Sequence, residues 1–115
     1  MGSVIQIFGV KNCNETKKAI RFFKERRITI QFINLEEKGL SKGELESVAR
    51  RVPMEELIDK EGKQFRKRQL AYKIYDLESE LLEDPLLFKT PITRFGSLAA
   101  VGNTPEIWEE WIAKS

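Results

Sequence analysis

The stretch Val4-Ile5-Gln6-Ile7-Phe8-Gly9-Val10-Lys11-Asn12-Cys13-Asn14-Glu15-Thr16-Lys17-Lys18-Ala19 changes its hydrophobic period on either side of one cysteine. Val4 to Phe8 is short, apolar and rich in β-branched side chains, and Gly9 ends it, which predicts a buried strand. From about Asn14, the residues Thr16, Ala19, Ile20 and Phe23 recur at i, i+3, i+4 and i+7 with Lys17, Lys18, Arg21 and Lys24 between them. That spacing predicts an amphipathic helix. Thr29-Ile30-Gln31-Phe32-Ile33 then predicts a second strand, so the opening unit is β-α-β, with a right-handed crossover if the strands are parallel neighbours. Cys13 is thereby placed between a strand end and a helix start, where unpaired backbone N–H groups and the helix dipole favour an anion.

Beyond this unit the pattern turns helical. Ser41 with Glu44 three residues on matches a capping box, and Leu45, Val48, Ala49 and Val52 follow at helical spacing until Pro53. Pro53 is itself suited to open a short helix through Leu57. Gly62 marks a turn, and Gln64 to Leu70 suits one or two helical turns. Asp76 is the expected N-cap of a helix from Leu77 to Glu83, with Leu77, Leu81 and Leu82 on its apolar face and Pro85 beyond its end. After this block of residues 41–84, Ile92 to Phe95 and Leu98 to Val101 predict two strands joined at Gly96-Ser97. Thr104 as N-cap, Pro105 at the first helical position and the apolar set Ile107, Trp108, Trp111 and Ile112 predict a closing helix. The order is β-α-β, helical block, β-β-α, with no repeat or linker.

Composition narrows the chemistry. The 115 residues carry 41% apolar side chains, with seven Phe and two Trp, enough for one ordinary core and a single domain over 1–115. One Cys and no His exclude an internal disulfide, a Ser-His-Asp or Cys-His arrangement and the usual structural zinc sets, so no metal site is expected. The lone thiol also points to a reducing compartment, and the cytoplasm is the expected location. Twenty basic and 18 acidic residues are mixed along the chain, which does not suggest direct nucleic-acid binding. No apolar run reaches the ~18 residues of a membrane span, and the N-terminus lacks a signal-peptide pattern. The basic clusters Arg50-Arg51 and Arg66-Lys67-Arg68 read as solvated helix faces.

The run Gly9 to Ala19, with its K-N-C-x-x-x-K-K-A string, resembles the active-site loop of the ArsC/Spx family, and within it the YffB-like branch. Leu40-Ser41, Gly62-Lys63-Gln64-Phe65-Arg66, Leu81-Leu82 with Asp84-Pro85, Lys89-Thr90-Pro91-Ile92, and Val101-Gly102 with Pro105-Glu106 extend the likeness in the same order over residues 4–112. The resemblance implies an α/β, thioredoxin-like (glutaredoxin-like) β-α-β…β-β-α core, with a helical insertion at about 41–84 between the second and third strands. It also implies a cis Thr90-Pro91 bond beside the cysteine. Arsenate reductases of this family hold the oxyanion with three arginines. Asp59, Thr90 and Asn103 stand in those slots, so arsenate reduction by that route is not expected. Thr16 stands where many Spx-type regulators carry the second cysteine of a C-x-x-C switch.

Two functions follow as expectations. In the first, Cys13 is the single nucleophile of a thiol-dependent oxidoreductase. Lys11, Lys17 and Lys18 add positive field to that of the helix start, and an external small-molecule thiol, glutathione foremost, resolves the adduct as in monothiol glutaredoxins. An oxidised protein is the other substrate class, no cofactor is bound, and the chain acts as a monomer. Asn12, Thr16, Lys17, Arg66, Thr90, Pro91 and Arg94 are the candidate substrate-binding residues. Thr16 either hydrogen-bonds the thiolate or only faces the core, Arg66 and Arg94 either meet a substrate carboxylate or are solvated, and a lone Cys taken by itself is more often a buried core residue than a nucleophile. In the second function the helical block docks, Spx-like, on RNA polymerase or another protein without catalysis.

Overall fold

The computed structural model describes residues 4–114. Strand β1 (Ile5–Gly9), helix α1 (Asn14–Glu25) and strand β2 (Ile30–Asn34) form the opening unit. The middle block holds α2 (Lys42–Ala49), α3 (Lys63–Lys67) and α4 (Leu77–Glu83), with 3-10 turns at Met54–Glu56, Leu70–Tyr72 and Pro85–Leu87. The hairpin β3 (Ile92–Phe95) and β4 (Leu98–Val101) and the helix α5 (Pro105–Lys114) close the chain. The four strands make one sheet in the order β2-β1-β3-β4; β1 and β2 are parallel, and β3 is antiparallel to both β1 and β4. This is the α/β, thioredoxin-like arrangement with a helical insertion between β2 and β3.

Strand alternation builds two apolar layers. Ile5, Ile7 and Ala100 turn to one face and pack with Ala19 and Phe23 of α1 and Trp108 and Trp111 of α5. Phe8 and Ile92 turn to the other face and meet Leu45, Val48, Leu57, Leu81 and Leu87 of the insertion. A side-chain period of two sends neighbours on a strand to opposite faces, so the single run Ile7-Phe8 anchors both layers. The insertion is therefore the cover of one sheet face rather than an appendage.

Most local expectations hold. Ser41 and Glu44 make both bonds of the capping box, and the Asp76 carboxylate accepts from the Ser79 N–H. That bond and the Ser79 hydroxyl hold the Asp76 carboxyl below its ordinary pKa. Gly96 in the β3–β4 turn has φ +59°, the left-handed region that favours glycine. Three expectations fail. Pro53 does not begin a helix: it stays extended at ψ 136° and the turn starts at Met54. The Thr104 carbonyl accepts from the Ile107 and Trp108 N–H groups, at 3.0 and 3.1 Å, but its hydroxyl is buried without a partner, so the side-chain cap is not made. Pro105 at the first helical position already removes one of the orphan donors that a cap would satisfy. The cluster Arg66-Lys67-Arg68 is also not uniformly solvated, because Arg68 pairs with Glu80 and Asp84 and ties α3 to α4.

Candidate active site

Cys13 occupies the N-cap of α1, with extended backbone at φ −82° and ψ 122°. A Ser, Thr, Asp or Asn at this position would accept from the first helical N–H groups; a thiol does so poorly and a thiolate does so well. The loop that delivers it is tight: Cys13 N–H donates to the Val10 carbonyl at 3.1 Å, and Lys17 N–H to the Cys13 carbonyl at 3.0 Å. The α1 start also passes close to the β1 end. A Cβ at Gly9 would lie 2.4 Å from Thr16 Oγ1 and 2.7 Å from Thr16 Cγ2, so only glycine fits there.

Across from the cysteine, the Thr90–Pro91 peptide that leads into β3 is cis. The Thr90 hydroxyl donates to Cys13 Sγ at 3.1 Å, and the thiol makes a long contact, 3.9 Å, to the Thr90 carbonyl. Loss of the thiol proton keeps the first bond and frees that carbonyl. Partial burial raises the Cys13 pKa, while the hydroxyls of Thr16 and Thr90 and the backbone N–H groups of Thr16 and Glu15 lower it; the net direction is down. Thr16 is fully buried against Gly9, and its hydroxyl, which makes no hydrogen bond beside the neutral thiol, lies where it favours the charged form of the sulfur.

A cavity of about 310 Å³ is lined by Thr90 and by Asn12, the neighbour of Cys13, though not by Cys13 itself. Val10, Leu35, Pro85, Leu86 and Phe88 give it an apolar side, while Asn12, Glu36, Asp59, Lys63, Gln64 and Thr90 supply polar groups. Asn12 and Thr90 thus join Cys13, whereas Lys17 is exposed on the first turn of α1 and Lys18 pairs with Glu15 at 3.2 Å. Arg66 and Arg94 are not brought to the site. Arg66 is exposed and donates to the Glu61 carbonyl at 2.8 Å, and Arg94 donates to Gln6 and Ser47 across the sheet. Of the three positions that lack arginine, Asp59 and Thr90 line the cavity, but Asn103 lies in another depression with Lys18, Arg21 and Pro105. Glu36, Lys63 and Gln64 were not singled out from the sequence; Lys63 and Gln64 lie inside the Gly62-to-Arg66 match, and Glu36 carries no pattern at all. Among the described residues no group of three or more carboxylates and thiols is arranged to hold a metal ion, and no helix is long and apolar enough to cross a membrane.

The family model described as ArsC family matches residues 8–111, which includes the Cys13 loop, the insertion and the Thr90–Pro91 segment. The chain belongs to the ArsC family. Solved structures agree on the fold of this ArsC-family protein. The YffB protein superposes with a TM-score of 0.80 at 21% identity, over 92% of this chain and 96% of that one. An arsenate reductase from Vibrio cholerae gives 0.80 at 18% identity, over 96% and 98%. An ArsC-related protein from Brucella melitensis is 26% identical over 97% and 95%, with a TM-score of 0.66. No curated protein gives a significant match.

The Thr90 hydroxyl separates the ArsC-family scaffold from the local tuning of its cysteine. Thr90→Val keeps the shape and removes the donor to Sγ. Its expected result is a Cys13 pKa higher than in the wild type and an alkylation rate at pH 7 lower by about three- to tenfold, the loss of one partly solvated bond to a charged acceptor. Iodoacetamide kinetics across pH 5 to 10 measure both, and an unchanged profile contradicts the role.

Proposed function

We propose that this ArsC-family protein is a thiol-dependent oxidoreductase in which Cys13 is the single nucleophile and an external thiol, glutathione or another, regenerates it. The observation that carries this is the seat of the sulfur, an N-cap position that receives the Thr90 hydroxyl at 3.1 Å, with Thr90 and the neighbouring Asn12 lining a cavity. The Cys13 thiolate attacks the glutathione sulfur of an oxidised substrate. A bond from Sγ to that sulfur forms, the old S–S bond breaks, and the departing thiolate takes the electron pair and gains a proton from water. A glutathione thiolate then attacks the glutathionyl sulfur, oxidised glutathione leaves, and Cys13 returns as thiolate. With one Cys in the chain, no internal thiol competes for this second step. Asn12 and Thr90 line the space for the substrate, and the freed Thr90 carbonyl suits an extended cysteinyl backbone. A carboxylate at Asp59, where an arginine would hold an oxyanion, disfavours arsenate as the substrate. Incubation with oxidised glutathione and intact-mass measurement tests the reading: one glutathionyl group, removable by reduced glutathione, is expected, and an unmodified chain overturns it.

A second reading, a docking module for RNA polymerase or another protein, is favoured by one feature of the insertion. Tyr72 and Ile74 are 89% and 105% exposed beside Lys73, an apolar pair that no part of the described chain covers. Pull-down with purified polymerase is the measurement. Retention that Ile74→Asp reduces at least about fivefold supports docking, and no retention removes polymerase as the partner.

A further inference from the structure

The cavity beside Cys13 carries a charge pattern unsuited to the oxyanions for which arginines would serve. Its lining holds two carboxylates, Glu36 and Asp59, against one cation, Lys63. Asp59 also borders the neighbouring depression, where Glu55, Glu56 and Glu61 outnumber Lys60 and Lys89, so a smaller acidic excess continues past the rim on that side. Asp59 is held in place: its Oδ1 accepts the Glu61 N–H at 3.2 Å, and its N–H donates to the Leu87 carbonyl at 2.8 Å. Lys11 and Lys17 lie on the exposed loop and first turn of α1 and are not part of the lining. Cys13 and Thr16 are not part of the lining; Thr90, which is, reaches Sγ with its hydroxyl, and the buried, unpartnered Thr16 hydroxyl lies beside the same sulfur. The apolar side suits the methylenes of a short arm, and about 310 Å³ is room for a fragment of amino-acid size.

We propose that the site selects disulfides whose arm carries an ammonium group, with Asp59 and Glu36 as the specificity-determining residues. This rests on Cys13 being the exchanging thiol. The Cys13 thiolate attacks the sulfur of the aminoalkyl arm, a Cys13–arm disulfide forms, the original S–S bond breaks, and the other arm leaves as a thiolate that takes a proton from water. The ammonium then lies among the carboxylates, and the external thiol attacks the arm's sulfur to restore the Cys13 thiolate.

Three disulfides of similar length and different charge test this: cystamine, bis(2-hydroxyethyl) disulfide and 3,3′-dithiodipropionate. Adduct formation is followed by intact mass in wild type, Asp59→Asn and Glu36→Gln, each rate divided by that of a free cysteine peptide with the same disulfide. Asparagine still offers an oxygen to the Glu61 N–H, so the turn at 59–61 is kept. The expected wild-type ratio of cationic to anionic rate exceeds that of Asp59→Asn by about three- to tenfold, and the difference shrinks at 0.5 M salt. A ratio unchanged by Asp59→Asn and Glu36→Gln, with the neutral disulfide reacting at Cys13, overturns the charge selection alone. Absence of an adduct with all three disulfides overturns both this proposal and the oxidoreductase reading beneath it.

Discussion

Cys13→Ser is expected to fold like the wild type and to lose thiol–disulfide exchange altogether, with no glutathionyl adduct and turnover lower by on the order of 10³-fold or more. The chain has no other thiol to take over, and a serine hydroxyl at the same N-cap cannot form the S–S bond on which the reaction depends. Serine is moreover a better N-cap than a neutral thiol, so the variant stays folded and lost activity cannot be blamed on unfolding. The pH dependence gives a second, independent readout. Because Thr16, Thr90 and the first backbone N–H groups of α1 favour the charged form, the alkylation midpoint of the wild type lies below the ordinary thiol value of about 8.5. The folded state then binds fewer protons than the unfolded state between the lowered folded pKa and the unfolded one. Wild-type stability relative to Cys13→Ser therefore rises with pH through that window, is fully present above the unfolded pKa, and is lost as pH falls through the folded pKa. Urea titrations of the two proteins at pH 5, 7 and 9 measure this. A difference independent of pH, or a midpoint at or above 8.5, contradicts the activated thiol.

The parts of this site legible in the sequence are those set by neighbours along the chain. Gly9 and Cys13 flank a change of period from two to 3.6, and that alone places the sulfur at a helix start; the match of Lys89 to Ile92 adds the segment opposite it. What the sequence hid was geometry between segments. Arg66 lies within two residues of the cavity-lining Gln64, yet helical rotation turns it outward onto the Glu61 carbonyl. Arg94 follows the Thr90–Pro91 pair closely, but strand alternation aims it at Gln6 and Ser47 instead of the sulfur. Asp59 is the converse case: the sequence marks it only as a place where an arginine is missing, and its position on the cavity wall depends on the backbone contact to Leu87, which no local pattern encodes. The Arg68 link to Glu80 and Asp84 is hidden for the same reason, since its partners lie on and just beyond α4. The fold was more legible than the site because the apolar period repeats along each element, whereas a site is one meeting of several elements.

Trp108→Ala is expected to cost about 3–5 kcal/mol, the range for deleting a large buried aromatic side chain. That is a large share of the ~5–15 kcal/mol that hold a typical domain together, and it lowers the melting temperature by on the order of 15 °C. Trp108 is fully buried, with ring centroids 5.1 Å from Phe22 and 5.3 Å from Phe23, so it joins α5 to α1 over the face of the sheet opposite the insertion. Its indole N–H donates to Thr93 Oγ1 at 2.9 Å, and the Thr93 hydroxyl donates in turn to the Ala100 carbonyl at 3.4 Å, which ties the helix to β3 and β4. Alanine removes the ring contacts and the donor together, and Ile7 and Ala100 cannot close the space because the sheet register fixes their backbones. Trp108→Phe separates the two terms: it keeps most of the apolar volume and leaves the Thr93 oxygen without its donor, for an expected loss of about 1–3 kcal/mol. Urea unfolding of the three proteins measures the series, and a loss below about 1 kcal/mol for Trp108→Ala contradicts the packing described. The consequence reaches the thiol, since α1 is held from below by Ala19 and Phe23 in the same layer as Trp108 and carries Cys13 at its upper end. Above the melting temperature of Trp108→Ala but below that of the wild type, Cys13 in the variant titrates as an ordinary unfolded thiol while the wild-type sulfur keeps its lowered pKa.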